Sequence, residues 1–308
     1  MHQQPNSGGF GQKLKDYKEL IKFTLSITVV FSSVIAYLMV PVVQFNWKMV
    51  LMLTLGGLLV TGSANAINQI AEKGSDALMK RTGKRPVASG RMTVREAGIF
   101  ALLSAFAGCL IMWHFFNLPA ALLSLLSLFV YAFIYTPLKK VSAISVFIGG
   151  FPGAFPCLIG WVAAYEAGQP FTWTGGWILF AIQFLWQFPH FWAIAWVAHN
   201  DYDRAGFKLL PNQNAPTKST ALQAIGYSVA MIPLCFLPYY FGWIYGGITG
   251  SIAMVVVLAA NLVMVFQCVQ LYRKMTVAAA RHVMFSSYIY LPIVLLAMLA
   301  DKQAALPL

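Results

Sequence analysis

The chain has few charged residues and very few acidic ones. Only 10% of its 308 residues are charged, Asp and Glu together number nine, and 59% of the side chains are apolar. Soluble domains carry about 25% charged residues, so this composition excludes an ordinary soluble globular protein. The mean hydropathy of +0.69 agrees with that exclusion. The sequence therefore predicts a protein of the lipid bilayer.

Cysteine is also scarce, and all four cysteines fall inside apolar runs. Such positions predict neither a disulfide framework nor a cysteine metal site. The N-terminus shows no targeting signal, because the first apolar run of about 21 residues is longer than a signal-peptide h-region and Met1 to Gln12 lacks an Arg-rich pattern. We therefore expect a bacterial cytoplasmic (inner) membrane protein without a cleaved leader.

Long apolar runs are what the chain does contain. A helix needs roughly 20 apolar residues to cross about 30 Å of hydrocarbon. Nine runs meet this length, and they extend approximately over Phe23 to Val43, Trp47 to Ala71, Ala97 to Phe116, Leu118 to Tyr135, Ile144 to Ala164, Gly175 to Ala198, Ala221 to Phe241, Ile244 to Cys268 and Met284 to Leu299.

The basic residues give the orientation, since loops that remain in the cytoplasm retain Lys and Arg. With a cytoplasmic N-terminus, 19 of the 21 Lys and Arg fall on the inner side, and only Lys48 and Lys302 do not. The pI of 9.6 is then a topology signal and excludes nucleic acid as a partner. We predict an all-α, polytopic membrane helix bundle with a cytoplasmic segment at 1–22, one transmembrane domain at 23–299 and a short tail at 300–308.

The inward loop after the second run carries a polar pattern. Asn68, Glu72 and Asp76 are four residues apart, so they share one face if the second helix continues past the membrane edge. Carboxylate and amide oxygens are the ligands that Mg²⁺ prefers, and Mg²⁺ commonly bridges a carboxylate to substrate phosphates. A solvated acidic helix end would give the same spacing. We expect the two carboxylates at the water edge.

Cations follow directly, at Lys80, Arg81, Lys84, Arg85 and Arg91. Arginine matches phosphate oxygens bidentately and lysine acts as a point charge. Metal ligands beside phosphate ligands at the rim of an apolar bundle suit a diphosphate with a hydrocarbon tail. A solvated basic loop is the alternative interpretation.

Three further features stand out. The inward loop after the sixth run offers Asp201, Asp203 and Arg204, either as a second metal site or as a lid. Tyr135 and Lys139 end the fourth run, where such a pair is usually an interfacial anchor. The sixth run contains His190, which is either a functional membrane histidine or a packed one.

The fifth run is rich in helix breakers. Gly149, Gly150, Pro152, Gly153 and Pro156 should interrupt its hydrogen bonding, which is tolerated only beside protein or a cavity. We expect the three glycines to leave room for a broad acceptor, with aromatic walls supplied by Trp186, Phe188, Phe191 and Trp192.

Taken together, these residues resemble the UbiA superfamily of intramembrane prenyltransferases, and within it the heme-farnesylating branch. Six segments in family order carry the resemblance over nearly the whole chain: NQIAEKGSDALMKRTGKRP (Asn68 to Pro86), YTPLKK (Tyr135 to Lys140), GGFPGAFPCLIGW (Gly149 to Trp161), WQFPHFWAIAW (Trp186 to Trp196), DYDRAGFKLLP (Asp201 to Pro211) and RHVMFSSYIYLP (Arg281 to Pro292).

Three positions depart from the family pattern. Glu72 stands where Asp is commoner, and Asp201 and Asp203 are two residues apart rather than four. The family usually has a Lys-Pro-Arg element at the first span, but this chain has Lys22, Phe23 and Thr24 there. The residues that would contact the prenyl donor from this position are therefore not the usual ones.

The resemblance implies Mg²⁺ (or Mn²⁺) as the cofactor, with farnesyl diphosphate and heme b as substrates and heme O as the product. It implies a metal on Asn68, Glu72 and Asp76, with Asp201 and Asp203 as a second site, and His190 as a catalytic residue facing the heme. It further implies that the diphosphate is bound by Arg81, Lys84, Arg85, Tyr135, Lys139 and Arg204. Heme A synthase or terminal-oxidase assembly would be the downstream partner.

Two other functions fit parts of the pattern. A related prenyltransferase acting on an aromatic acid or quinone precursor would share the metal and diphosphate residues. A transporter would explain many helices, a broken span and a membrane histidine, but it should show inverted repeats with paired broken helices, which the sequence lacks.

Overall fold

The computed structural model describes residues 9–166, 171–211, 215–245 and 248–303. Within these ranges the chain is helical and contains no strand. The helices are α1 Phe10–Leu20, α2 Phe23–Met39, α3 Trp47–Ala71, α4 Lys73–Leu78, α5 Val94–Phe115, α6 Leu118–Phe129, a π-helical segment Val130–Tyr135, α7 Thr136–Leu138, α8 Ile144–Ala163, α9 Thr174–Val197, α10 His199–Arg204, α11 Lys218–Tyr245, α12 Ser251–Lys274 and α13 Val277–Ala300.

Short polar side chains determine where several of these helices begin. Asn46 accepts the backbone N–H of Lys48 at 2.9 Å, and Asn117 accepts that of Ala120 at 2.8 Å. Thr93 and Thr276 cap α5 and α13 in the same way. Each cap satisfies a backbone donor that would otherwise lack a partner at the membrane interface, which is worth about 1 kcal/mol.

The span count agrees with the sequence prediction. Eight helices in the described ranges are long and apolar enough to cross a membrane, and α1 with α2, which meet at 50°, form a candidate ninth span. Two predicted boundaries were wrong. The eighth span begins at Ser251 instead of Ile244, because Ile244 still belongs to α11, and the last begins at Val277 instead of Met284. The interval between α11 and α12 includes 246–247, outside the described residues.

Helices α8 and α9 form the buried centre of the bundle. In an apolar 18-residue stretch of each helix, 78% of the residues of α8 and 61% of those of α9 are buried inside the protein. The corresponding fraction for α5 is 22%. Helix α8 packs against α2, α6 and α9, and α9 also packs against α11 and α13. The fifth span is not broken, since α8 is one continuous helix. Pro152 and Pro156 inside it interrupt its hydrogen bonding as predicted, because proline has no N–H to donate. Both prolines are buried among neighbouring helices, which support the helix where its own hydrogen bonds are missing.

Lys302, one of the two lysines predicted for the outer side, has a structural role. Its ammonium donates to the carbonyl oxygens of Leu38, Val40 and Val43 at 2.8, 2.7 and 3.2 Å. These carbonyls lie at the C-terminus of α2, where the helix dipole favours a cation. The neighbouring Asp301 accepts the N–H of Ala253 at 2.7 Å at the start of α12. The chain end thus joins α13 to α2 and α12.

Close packing of α2 on α8 depends on Gly160. A methyl group at this position would lie 1.8 Å from the carbonyl oxygen of Ser33, a backbone atom that cannot rotate away. We expect Gly160→Ala to lower the free energy of unfolding by about 1–3 kcal/mol through overpacking. The matched control is Gly98→Ala in α5, where the added methyl meets nothing within 4 Å. Thermal unfolding in detergent should show a lowered midpoint for Gly160→Ala only, and equal midpoints would contradict the prediction.

Candidate active site

Asn68, Glu72 and Asp76, here called the oxygen triad, lie on one face across a helix break. Helix α3 ends at Ala71 and α4 begins at Lys73. The backbone nevertheless keeps its four-residue hydrogen bonds, from Glu72 N to Asn68 O at 2.9 Å and from Asp76 N to Glu72 O at 2.7 Å. The predicted shared face is therefore present. The expected position at the water edge was wrong, because the three side chains are 1%, 5% and 0% exposed.

Each member of the triad contacts one cation. Lys22 Nζ donates to Asn68 Oδ1 at 2.9 Å, and Arg85 Nη1 donates to both oxygens of Asp76 at 2.9 and 2.8 Å. Lys139 forms an ion pair with Glu72. We call Lys22, Arg85 and Lys139 the counter-cations. Charges this deeply buried require such partners, because the cost of removing a carboxylate from water is several kcal/mol.

Lys22 is a site residue that the sequence analysis did not assign. It lies in the bend between α1 and α2 with a left-handed backbone (φ 48°), and this turn directs its side chain toward Asn68. Asn68 is held in place from the other side, where its amide nitrogen donates to Thr136 Oγ1 at 3.2 Å. The sequence does show a lysine directly before the first apolar run. Because the residues after it depart from the family motif, Lys22 was not assigned to the site.

The π-helical segment places Tyr135 and Lys139 at the same site. The Tyr135 ring lies against Gly149, where an added methyl would be 2.7 Å from Tyr135 Cε2. Lys139 Nζ is 4.8 Å from the centre of the Tyr135 ring and 5.4 Å from that of Phe207. The backbone N–H of Lys208 donates to Lys139 O at 2.7 Å, which ties the loop after α10 to this corner. π-Helical turns occur often at functional sites, because the extra residue reorients the side chains.

The other predicted diphosphate ligands lie at the rim. Arg81, Lys84 and Arg204 are exposed, and Arg81 Nη2 donates to Tyr202 Oη in α10 at 3.2 Å. Arg91 instead bonds Asp16 and Glu19 of α1, each at 2.8 Å, so its contacts are structural.

The predicted second metal pair is less enclosed than the triad. Asp203 is exposed and Asp201 is half-buried. The described ranges hold no group of three or more His, Cys, Asp or Glu side chains that could bind a metal. The triad does not depend on such a group, because one of its three oxygen ligands is an amide.

An apolar cavity of 190 Å³ shares Tyr135 with the surroundings of the triad, because the Tyr135 ring also borders Lys139. Its wall is made by α2, α3, α5, α6, the π-helical segment and α8, with Phe191 from α9. Tyr131 and Asn65 are also in the wall, and the Tyr131 hydroxyl donates to Asn65 Oδ1 at 3.5 Å. A ligand with a charged head at the triad and a hydrocarbon tail in the cavity matches this combination.

His190 lies in α9, held between neighbouring side chains. Its Nδ1 is 2.7 Å from Ser287 Oγ, whose hydroxyl donates to Met284 O at 2.6 Å. Since that hydroxyl has only one hydrogen, His190 donates from Nδ1, and Nε2 keeps its lone pair. The ring stacks on Trp186 with centroids 4.7 Å apart and meets the edge of Tyr288 at 5.2 Å. The histidine is thus oriented with one nitrogen available as a ligand or base.

The predicted space beside the fifth-span glycines is present in part, since Gly149 and Gly153 line the apolar cavity together with Phe191, whereas Gly150 does not. Methyl groups at Gly150 and Gly153 would collide with Phe184 and with Gln187 Oε1, at 2.7 and 1.8 Å, so these glycines let α9 approach α8. The Tyr135 ring packs closely against Gly149, and both residues line the cavity. Two of the predicted aromatic walls are core residues, since Phe188 and Trp192 are buried against Tyr227. Trp186 and Phe191 remain partly accessible.

Comparison with known proteins identifies the family. The model of the UbiA prenyltransferase family matches residues 29–289. The protoheme IX farnesyltransferase of Cytophaga hutchinsonii is 48% identical over 286 residues, which cover 93% of this chain and 97% of that protein.

Solved structures share the fold. Digeranylgeranylglyceryl phosphate synthase superposes with a TM-score of 0.76 at 22% identity, covering 94% of this chain and 98% of the other. A UbiA homolog from Archaeoglobus fulgidus, solved with GPP and Mg²⁺, gives a TM-score of 0.64 at 12% identity, covering 92% and 99%. At these identities the likeness concerns the fold alone. The chain is a multi-pass membrane prenyltransferase and belongs to the UbiA family.

Proposed function

We propose that the enzyme transfers a farnesyl group from farnesyl diphosphate to a vinyl group of heme b, giving heme O. The observation that carries the proposal is the buried oxygen triad with its three counter-cations beside an apolar cavity. The choice of donor and acceptor is supported by the Cytophaga hutchinsonii relative, which is similar over almost its full length.

The donor binds with its diphosphate at the counter-cations and its tail in the cavity. As the bond between C1 and oxygen breaks, the electron pair leaves with the diphosphate, and Lys22, Arg85 and Lys139 stabilise the growing negative charge. Mg²⁺ (or Mn²⁺) on the triad would supply Lewis-acid stabilisation of the same leaving group. The donor set fits a hard cation, being two carboxylates and one amide oxygen. Arg81, Lys84 and Arg204 extend the cationic surface at the rim, and Asp201 with Asp203 is the proposed second metal site.

The acceptor approaches from the α9 side. A heme vinyl group attacks the allylic cation with its π electrons, and water then adds to the resulting carbocation with loss of a proton, which leaves a hydroxyethylfarnesyl group. The contact of Nδ1 with Ser287 orients the His190 ring, and we propose that Nε2 binds the heme iron and orients the porphyrin. The apolar wall of the cavity excludes water that would otherwise quench the cation.

The charge distribution supports a bacterial inner membrane location with the N-terminus and the active site at the cytoplasmic face. The diphosphate donor and the metal would then enter from the cytoplasm. The apolar product would remain in the bilayer, where we propose that heme A synthase or terminal-oxidase assembly receives it.

Product analysis tests the acceptor. Purified enzyme given heme b, farnesyl diphosphate and Mg²⁺ should yield a heme heavier by one farnesyl group and one hydroxyl group, detected by mass spectrometry. Parallel reactions contain 4-hydroxybenzoate or a dihydroxynaphthoate in place of heme. If heme returns unmodified while an aromatic acid becomes prenylated, the acceptor assignment is wrong.

Carboxylate replacement tests the metal site. Glu72→Gln and Asp76→Asn should lower the initial rate about 100-fold or more, because each weakens charge stabilisation at the leaving group. Each also leaves a buried cation unpaired, so a lowered unfolding midpoint should accompany the loss, and rates are compared per folded protein. Glu96→Gln is the control, as Glu96 pairs with Lys13 outside the site and should stay within about twofold of wild type. Full turnover in excess EDTA would contradict the assignment.

Replacement of His190 tests the heme side. His190→Ala should alter the Soret spectrum of bound heme and weaken heme binding, because Nε2 is removed, while binding of farnesyl diphosphate is retained. The control is His114→Ala, which removes an exposed histidine near the end of α5. An unchanged spectrum and rate in His190→Ala would show that His190 is a packing residue.

A further inference from the structure

The contacts of the oxygen triad have a consequence for metal binding. In the described structure each triad side chain already uses an oxygen on a cationic group: Lys22 on Asn68, Lys139 on Glu72 and Arg85 on both oxygens of Asp76. These are the oxygens that a divalent cation would need. A metal entering alone would have to displace ammonium and guanidinium groups already bound to its ligands.

The displaced cations have few other partners at this depth. Lys139 is 8% exposed, and the rings of Tyr135 and Phe207 lie beside its ammonium. The Arg85 side chain has an exposed fraction of 19%. An ammonium that leaves Glu72 without gaining another anion is desolvated and repelled by the incoming metal.

A diphosphate removes this obstacle, because it supplies the anionic oxygens that the counter-cations lose. The two ion pairs Lys139–Glu72 and Arg85–Asp76 are electrically balanced before binding. A divalent cation alone therefore adds two uncompensated positive charges to a buried site. A divalent cation together with a prenyl diphosphate, which carries about three negative charges, adds approximately one negative charge, which the Lys22 ammonium offsets.

We propose that the counter-cations occupy the triad in place of the metal and transfer to the diphosphate when the donor binds, so that metal and donor bind this enzyme with strong positive coupling. This inference rests on the proposed function, since it takes the triad as the metal site. It deepens that function by assigning Lys22, Arg85 and Lys139 two successive partners, first the triad oxygens and then the leaving group.

The test is a binding experiment and does not use turnover. The purified full chain in detergent is titrated with Mn²⁺, and free Mn²⁺ is measured by electron paramagnetic resonance after equilibrium dialysis. The titration is repeated with farnesyl thiolodiphosphate, an unreactive donor analogue, and with farnesol, which has the tail without the charge. Protein-free samples correct for Mn²⁺ held by the analogue in solution.

We expect the analogue to tighten Mn²⁺ binding about 10-fold or more and farnesol to have no effect. By reciprocity, Mn²⁺ should tighten analogue binding by the same factor, which calorimetry measures independently. Equal Mn²⁺ affinity with and without the analogue would overturn the proposal.

Two variants test the role of the counter-cations. Lys139→Met and Arg85→Gln each remove one competitor, so each should bind Mn²⁺ more tightly than wild type when no analogue is present, and the coupling factor should fall. The matched control is Lys140→Met, the exposed neighbouring lysine, which should behave as wild type. If both site variants are folded and bind Mn²⁺ alone as weakly as wild type, the counter-cations do not compete with the metal.

The outcomes separate this proposal from the function on which it rests. If wild type binds the analogue and Mn²⁺ tightly but independently, the coupling is refuted and the prenyl transfer site stands. If wild type binds neither ligand under any condition, the assignment of the site itself fails.

Discussion

Two carboxylates buried in a membrane bundle require compensation for their charge, and the arrangement of this site follows from that requirement. Glu72 and Asp76 are almost fully buried at the end of α3 and in α4. Their positive partners come from different parts of the chain, with Arg85 from the adjoining loop and Lys139 from beyond the π-helical segment. Any element that carries such a partner must be held within hydrogen-bonding distance. The two charge pairs thus couple the folding of the segments that carry Arg85 and Lys139 to the assembly of the site.

Irregular backbone provides these positions. Lys22 itself adopts a left-handed backbone at the bend between α1 and α2, which directs its side chain into the site. The π-helical segment brings Tyr135 beside Lys139. The break at Glu72 retains its four-residue hydrogen bonds, so the triad spacing survives the change from α3 to α4. Straight helices ending at the membrane surface would not bring these groups together at one buried point.

The donor and acceptor sides differ in how they obtain their chemistry. The donor side is a set of charges whose burial makes their interactions strong, and it borders a cavity without charged residues. The proposed acceptor side depends on one histidine, His190, whose tautomer is determined by a serine in α13. Helix α10 meets the loop after α4 through one hydrogen bond, which Arg81 of that loop donates to Tyr202 of α10. A movement of α10 would therefore alter the rim of the donor side directly.

Sequence alone determined the membrane class, the approximate number of spans and the identity of the triad, because these depend on run length, charge segregation and four-residue spacing. It could not determine which cation pairs with which oxygen. Arg81 and Arg85 look equivalent along the chain, yet Arg85 binds Asp76 and Arg81 turns to Tyr202.

The proline-rich fifth span also shows this limit. Its glycines and prolines indicated a broken helix lining an acceptor cavity. Helix α8 is continuous, and although Gly149 and Gly153 do line the apolar cavity, Gly150 and Gly153 also contact α9. Local sequence reports a residue's own conformational preference, but contact between helices far apart in the chain decides whether a small residue leaves space or is covered. For the same reason only the tertiary structure assigned Lys22 to the site and Lys302 to the end of α2.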